Sequence, residues 1–273
     1  MFGLLNRWLR YLRKMSEDCY TLVMLRHGES EWTKRNLFCG WYDSKLSENG
    51  IKEAHVAGQI LRDEGFQFDH VFTSQLSRAQ DTVQIILQEL GQSPEVTKSW
   101  RLNERHYGDL TGYNKLQMAN KYGLEQVQIW RRSYDVLPPP MTKDHKYYQD
   151  IITNPNFKID GPNEDQFPHT ESLKETIMRV LPYWNENIAT EIKQGKKVLV
   201  VTHGTSLRGL VKHIEQLSDA EIMKLNIPTA IPFVYKLDAN LTPTKPRQFL
   251  CDEETVSKAM EKVASISGYE EKQ

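Results

Sequence analysis

Two histidines far apart in the chain share one local grammar. His27 follows the apolar run Leu22-Val23-Met24-Leu25 and Arg26, and precedes Gly28; His203 ends the run Val198-Leu199-Val200-Val201-Thr202 and precedes Gly204. Apolar runs this short suit buried strands, and the glycine lets the chain turn at once. Both imidazoles are then expected at the C-terminal ends of strands, where open α/β sheets gather their ligands, and so in one shared site. An imidazole with one nitrogen held by a hydrogen bond keeps a lone pair on the other at neutral pH and can attack phosphorus. Arg26 offers a planar fork of donors to phosphoryl oxygens. The chemistry suggested is phosphoryl transfer through a nitrogen nucleophile.

Two further groups extend that chemistry. Asp69-His70-Val71-Phe72-Thr73-Ser74 reads as another strand, and Arg78 follows it at the start of a helix, a good place for a phosphate contact. In Asn103-Glu104-Arg105-His106-Tyr107-Gly108, Glu104 can give and take the proton of a hydroxyl that exchanges a phosphoryl group. A partly buried carboxyl there is expected to be tuned toward neutral pH. Taken alone, Arg78 would read as a solvated helix charge and Glu104 as the partner of Arg105 in a surface salt bridge.

The longer strings decide between these readings. Arg26-His27-Gly28-Glu29-Ser30-Glu31-Trp32 resembles the histidine phosphatase superfamily, whose members form a phosphohistidine. Phe38-Cys39-Gly40-Trp41-Tyr42-Asp43, the stretch from Trp100 to Gly108, Ile129-Trp130-Arg131-Arg132-Ser133-Tyr134-Asp135-Val136 and Glu171-Ser172-Leu173-Lys174 narrow the resemblance to the cofactor-dependent phosphoglycerate mutases, over about residues 20 to 260. The resemblance implies a three-layer α/β/α fold with a mostly parallel central sheet and an inserted cap region. It implies an isomerase that interconverts 3-phosphoglycerate and 2-phosphoglycerate in glycolysis and gluconeogenesis, with 2,3-bisphosphoglycerate as primer and no metal. His27 would carry the phosphoryl group, Arg26, Arg78 and His203 would stabilise it in transit, and Glu104 would shuttle the proton. Thr33, Cys39, Gly40, Arg105, Tyr107, Lys115, Arg131, Arg132, Gly204 and Thr205 would surround the substrate. Relatives of this kind are commonly dimers or tetramers, and a cytoplasmic homodimer is expected.

The chain departs from the family pattern at several points. Thr33 and Thr205 stand where asparagine is usual; threonine keeps a hydroxyl but loses the amide's paired donors. Asp109 replaces a small residue after Tyr-Gly, placing an acid near an anionic substrate, and Ala230 stands where Pro-Thr-Gly is usual. Gly40 after Cys39 and Leu110-Thr111-Gly112 favour a mutase. The alternatives are an enzyme biased toward synthesis or hydrolysis of 2,3-bisphosphoglycerate, and a weakly active phosphoglycerate-binding paralogue.

Composition sets the outer bounds. A chain of 273 residues, 39% apolar, can bury the core of one large α/β unit. The expected organisation is a basic amphipathic extension over 1–19, one catalytic domain over 20–260 with a cap insertion over 108–168, and a polar tail over 261–273. Lys and Arg total 35 against 36 Asp and Glu, so no global field attracts nucleic acid. Cys19, Cys39 and Cys251 are odd in number and lack a Cys-x-x-Cys pair, which describes neither a disulfide framework nor a zinc site. No apolar run approaches the length of a membrane span. In the extension, Phe2, Leu4, Leu5, Trp8, Leu9, Tyr11 and Leu12 fall on one side of a helix and Arg7, Arg10, Arg13 and Lys14 on the other. This pattern suits an interfacial helix touching a membrane through residues 1–14 or a mitochondrial transit segment. It equally suits an inert extension, the favoured reading, because Met15 gives a start near the family's usual N-terminus.

The remaining elements position these groups. Ser47 caps a helix carrying Ala54, Ala57, Ile60 and Leu61; Val83 to Leu90 continues the Arg78 helix, and Gly91 ends it. Glu95-Val96-Thr97 is read as a strand, Ser172 to Ile192 as a helix that tolerates or kinks at Pro182, and Ile231 to Leu237 as a strand. Pro138-Pro139-Pro140 stiffens the cap, which would exclude water and favour transfer over hydrolysis. Glu253 starts a final helix that becomes polar, and the family resemblance makes it a candidate for closing over the site.

Overall fold

A computed structural model describes residues 20–265. The amphipathic extension, Cys19 and the last residues of the tail lie outside the described residues.

Six strands form one sheet in the order β3-β2-β4-β1-β5-β6. They are β1 (Tyr20–Arg26), β2 (His70–Thr73), β3 (Glu95–Lys98), β4 (Val198–Thr202), β5 (Phe233–Leu237) and β6 (Gln248–Phe249). β1 runs parallel to β4, which runs parallel to β2, and β2 to β3; β5 and β6 add an antiparallel edge. The register pairs Arg26 with Thr202, so the residues after each, His27 and His203, leave the sheet side by side.

The pleat explains why both faces are covered. Leu22, Met24, Val198, Val200, Phe233 and Tyr235 point into one buried cluster, while Val23, Leu25, Leu199, Val201 and Val234 point into another. Side chains along a strand alternate between faces, and an all-apolar strand therefore needs helices on both. On the first face lie α5 (Leu173–Tyr183) and α6 (Gly204–Glu215), through Val180, Tyr183, Leu207, Leu210 and Val211. On the second lie α1 (Glu48–Asp63) and α2 (Ser77–Leu90), through Ala57, Leu61, Val83 and Ile86. The result is the three-layer α/β/α arrangement.

Local signals account for most boundaries. Ser47 and Ser172 cap α1 and α5 with their hydroxyls, and Gly91 ends α2 in the left-handed region. Pro182 does not end its helix. It lacks the N–H that a regular turn would use, and the chain continues through a π turn over Trp184–Ile188 to Lys193. β5 begins at Phe233, two residues later than expected, after Pro232. The last helix, α8 (Glu253–Ala264), runs past residue 261, where the polar tail was expected to start.

Between residues 108 and 168 the chain forms helices and turns, among them α3 (Lys115–Tyr122) and α4 (Leu124–Arg132). Their apolar faces meet Phe38 and Leu110, while Met141 and Ile151 pack with Trp41 and Trp100. The segment thus shares its cores with residues of the body. α7 (Asp219–Lys224) follows α6 and opens on a capping box of Ser218 and Glu221.

Candidate active site

The strand ends bring the two imidazoles together, with ring centroids 4.8 Å apart. Both rings are buried. Gly28 is required here by close approach: a Cβ on it would lie 2.3 Å from the carbonyl oxygen of Gly50 at the start of α1. The tight turn holds the His27 ring so that Nδ1–H donates to the Gly28 carbonyl at 2.6 Å. Nε2 then keeps its lone pair and accepts from Arg78 Nε at 3.3 Å. Burial first, then the charges of Arg78 and Arg26, holds the His27 pKa well below 6.5. His27 is accordingly a neutral imidazole with Nε2 as its nucleophilic atom.

His203 is held by Ser74, with Oγ to Nε2 at 2.7 Å. The Ser74 oxygen already accepts from the Leu76 N–H, so its own hydrogen is best used toward Nε2, which leaves the proton on His203 Nδ1. That atom is buried and has no hydrogen-bond partner. Arg78 is fixed by carbonyls, Nη1 to Tyr42 O at 3.0 Å and Nη2 to Gly40 O at 2.8 Å. Asp43 caps the helix carrying it by accepting from the Ser77 N–H and hydroxyl. Gly40 adopts φ +54°, a backbone that favours glycine, and so turns its carbonyl toward Arg78.

Glu104 sits on a loop clamped from behind. Arg179 of α5 pairs with Glu171 at 2.7 Å and donates to the carbonyls of Arg101, Asn103 and Glu104. Thr202 and Ser206 hydroxyls donate to the Leu102 and Asn103 carbonyls. The carboxylate accepts from the Arg105 N–H at 2.8 Å and the Thr205 N–H at 3.1 Å. Burial pushes its pKa up, but hydrogen bonding from Thr205 and Arg105, with the charges of Arg26 and Arg78, outweighs burial and leaves it below 4.5. The expectation of a carboxyl tuned toward neutral pH is therefore corrected: Glu104 is an ionised base in this state.

Above these groups opens a cavity of about 550 Å³, lined by Arg26, Thr33, Glu104, Tyr107, Lys115, Arg131, Arg132, Gly204 and Thr205 among others. His27, Arg78 and His203 are not among its lining residues. Arg26 is anchored through Nη1 to Ile227 O at 3.0 Å, and its Nε is unpartnered. Lys115 is crowded: burial first, then Arg131 and Arg26, pushes its ammonium down to about 7. The same causes, burial and neighbouring Arg132, bring Arg131 down to about 10. Helix α8 reaches over this end. Val263 O accepts from Arg132 Nη2 at 3.0 Å and Arg131 Nη2 at 3.4 Å, and Lys262 pairs with Glu29 at 3.5 Å.

Several expected ligand residues occupy other places. Arg105 does not line the cavity; its guanidinium stacks 4.6 Å over the Tyr107 ring and donates to Arg131 O, so it orients both. Cys39 and Gly40 are also absent from the lining, and burial pushes the Cys39 thiol up, away from thiolate chemistry. Asp109 is likewise outside the cavity, its N–H on Pro139 O, which removes the expected acid beside the substrate. Sequence reasoning missed Arg179 with Glu171, Ser74, and the cavity residue Arg208. Glu171 stood in a string that carried the family resemblance and Ser74 at a strand end, but neither position alone signalled its contact, and Arg208 offered only its spacing of one helical turn from Gly204. Among the described residues no group of three or more His, Cys, Asp or Glu could hold a metal ion, and no helix is long and apolar enough to cross a membrane.

Comparison with known proteins agrees with this architecture. The family model of the histidine phosphatase superfamily (branch 1) matches residues 22–153 and 149–240. The chain is 56% identical over 247 residues to a 2,3-bisphosphoglycerate-dependent phosphoglycerate mutase of Borreliella burgdorferi, covering 90% of this chain and 98% of the relative. A protein of the same description from Borreliella afzelii matches with the same identity and coverage. Among solved structures, a mycobacterial glucosyl-3-phosphoglycerate phosphatase complexed with VO3 superposes with TM-score 0.59 at 24% identity, covering 79% of this chain and 92% of that one. A putative alpha-ribazole-5'-P phosphatase from Escherichia coli gives 0.60 at 19%, covering 84% and 94%; these structures support the fold alone. The chain belongs to the histidine phosphatase superfamily and, within it, to the 2,3-bisphosphoglycerate-dependent phosphoglycerate mutase family.

Proposed function

We propose that the chain is a phosphoglycerate mutase that interconverts 3-phosphoglycerate and 2-phosphoglycerate through a phosphohistidine at His27. The observation that carries this reading is the pair of neutral imidazoles, 4.8 Å apart, behind a cavity walled by cations. Unpartnered buried donors on Arg26 and His203 fit a ligand with several anionic groups. 2,3-Bisphosphoglycerate supplies the phosphoryl group that primes His27.

The chain's own residues divide the work. His27 Nε2 forms a bond to phosphorus as the ester P–O bond breaks, and the reverse step returns the phosphoryl group to a glycerate hydroxyl. Arg78 Nε, which donates to Nε2 in this state, turns to the equatorial oxygens. Arg26 Nε and His203 Nδ1–H complete the set of donors that meet the charge developing there. Glu104 takes the proton of the attacking hydroxyl and returns it to the leaving oxygen in the opposite direction. Because its low pKa owes part of its depression to Arg26 and Arg78, an anionic ligand that neutralises those charges raises it in the complex. The contacts from α8 to Arg131, Arg132 and Glu29 narrow access for water, which favours transfer over hydrolysis. A homodimer acting in the cytoplasm, in glycolysis and gluconeogenesis, belongs to the same proposal.

The test follows three products together. Purified protein given 3-phosphoglycerate should form 2-phosphoglycerate only when primed with bisphosphoglycerate, and the acid-labile phosphate on the protein should vanish in His27→Ala. Bisphosphoglycerate turnover without isomerisation, or labelling retained in His27→Ala, would overturn the reading.

A further inference from the structure

Arg208 is a buried cation of the cavity that the transfer steps leave unused. It lies one turn into α6, is 5% exposed, and lines the same cavity as Arg26, Lys115 and Arg132. Its Nη2 donates to Ile222 O at 2.8 Å, while its buried Nε has no partner. Arg179, by contrast, has its Nε, Nη1 and Nη2 all engaged by Glu171 and backbone carbonyls, and Arg105, whose Nε is also unpartnered, lies outside the cavity with its guanidinium over the Tyr107 ring. Arg208 differs from Arg179, having no ion pair among the described residues. Arg26 shares its pattern, with one carbonyl anchor in the same 222–227 segment and an unpartnered Nε.

A buried cation without a counter-charge is costly, and an unpartnered buried donor adds to that cost. Burial, then Arg132 and Arg105, pushes the Arg208 guanidinium down to about 9, which measures how crowded with positive charge this wall is. An anion arriving from solution relieves all of these terms at once. We propose that Arg208 binds the anionic group of the ligand remote from His27, donating from its guanidinium to the second phosphate of 2,3-bisphosphoglycerate beside Arg132. The inference rests on the mutase reading and adds to it a residue that discriminates ligands with two phosphates from those with one.

Calorimetric titration of the wild-type chain and of Arg208→Met with 2,3-bisphosphoglycerate and with 3-phosphoglycerate separates the possibilities. Arg208→Met should weaken bisphosphoglycerate roughly ten- to hundredfold, the worth of a charged hydrogen bond or two, and 3-phosphoglycerate by less than about threefold. Arg208→Lys, which keeps the charge but not the fork, should fall between. A folded Arg208→Met variant with wild-type affinity for bisphosphoglycerate overturns the inference. Should that variant not fold, the wild-type protein still decides: the Arg208 Nε–Hε resonance, identified by its absence in Arg208→Lys, should move on saturation with bisphosphoglycerate and not with sodium chloride of equal ionic strength. A resonance that stays in place overturns the proposal. A wild-type chain that binds neither phosphoglycerate overturns the mutase reading instead, and does so before any variant is compared.

Discussion

At the transfer end of the site, outside the cavity lining, His27 and His203 hang from paired strands, and Arg78 is pinned by two carbonyls of the segment after β1. At the gripping end, Lys115, Arg131 and Arg132 come from α3 and α4, and two of them lean on one carbonyl of the C-terminal helix. The first set is placed by sheet register, which admits no small adjustment because a one-residue slip would turn every side chain to the other face. The second is placed by docking of helices and carries its positive charge at the expense of proton affinity. The difference teaches where damage should appear: a change at the transfer end should lower kcat, and a change at the gripping end should raise KM.

Glu104→Gln tests the transfer end and carries the largest expected effect. The amide can still accept from the Arg105 and Thr205 N–H groups, so the loop is retained, but it cannot take the hydroxyl proton. The expected loss in kcat is about 10²- to 10⁴-fold, with KM for 3-phosphoglycerate little changed. A kcat within a few-fold of wild type would mean that another group moves the proton, and the contrast between the ends would lose its chemical half.

Lys115 sharpens the other half. Its pKa in the ligand-free protein is about 7, so the ammonium is lost as pH rises through neutrality and the grip on an anion weakens. His27 and His203, lowered well below 6.5, and Glu104, lowered below 4.5, do not titrate in that window. The expected profile is a fall in kcat/KM for 3-phosphoglycerate above about pH 7 while kcat stays nearly level. In Lys115→Arg the guanidinium remains charged, and the fall should move to higher pH. The same falling limb in both proteins would assign it to a different group.

The transfer end was legible in local residue chemistry, whereas Lys115, Arg131 and Arg132 of the gripping end were reached through the family resemblance alone, for physical reasons. A short apolar run followed by His-Gly specifies strand, turn and face together, and Arg78 inherits its place from the same logic one strand away. The sign of the Glu104 shift was not legible, because burial and four neighbours oppose one another and only their distances settle the sum. Arg105 adjoins Glu104 in sequence, yet its guanidinium turns onto Tyr107. Arg208 reads as one more charge on an amphipathic helix until the missing partner of its Nε is seen. Helices α3 and α4 mix aromatic and cationic residues without a clean period, and β6, two residues long, has no room for one.

Ala230 gives the smallest expected effect and asks how much strain the register can hold. It adopts φ +49°, a region that costs a residue with a Cβ about 1–2 kcal/mol. The position is held by its N–H donating to Arg26 O at 2.9 Å, directly before His27. Glycine would relieve the strain, but it would forfeit the buried methyl group, about 0.8 kcal/mol, and cost roughly 0.5–1 kcal/mol more in backbone entropy. These terms nearly cancel, so Ala230→Gly should change the stability of the fold by less than about 1 kcal/mol in denaturant unfolding. Because the strand pairing, and not the residue at 230, sets the position of Arg26, kcat should stay within about twofold. A large drop in kcat with stability unchanged would show that the strained turn itself aims Arg26, and that the transfer end is less fixed by its strands than the register implies.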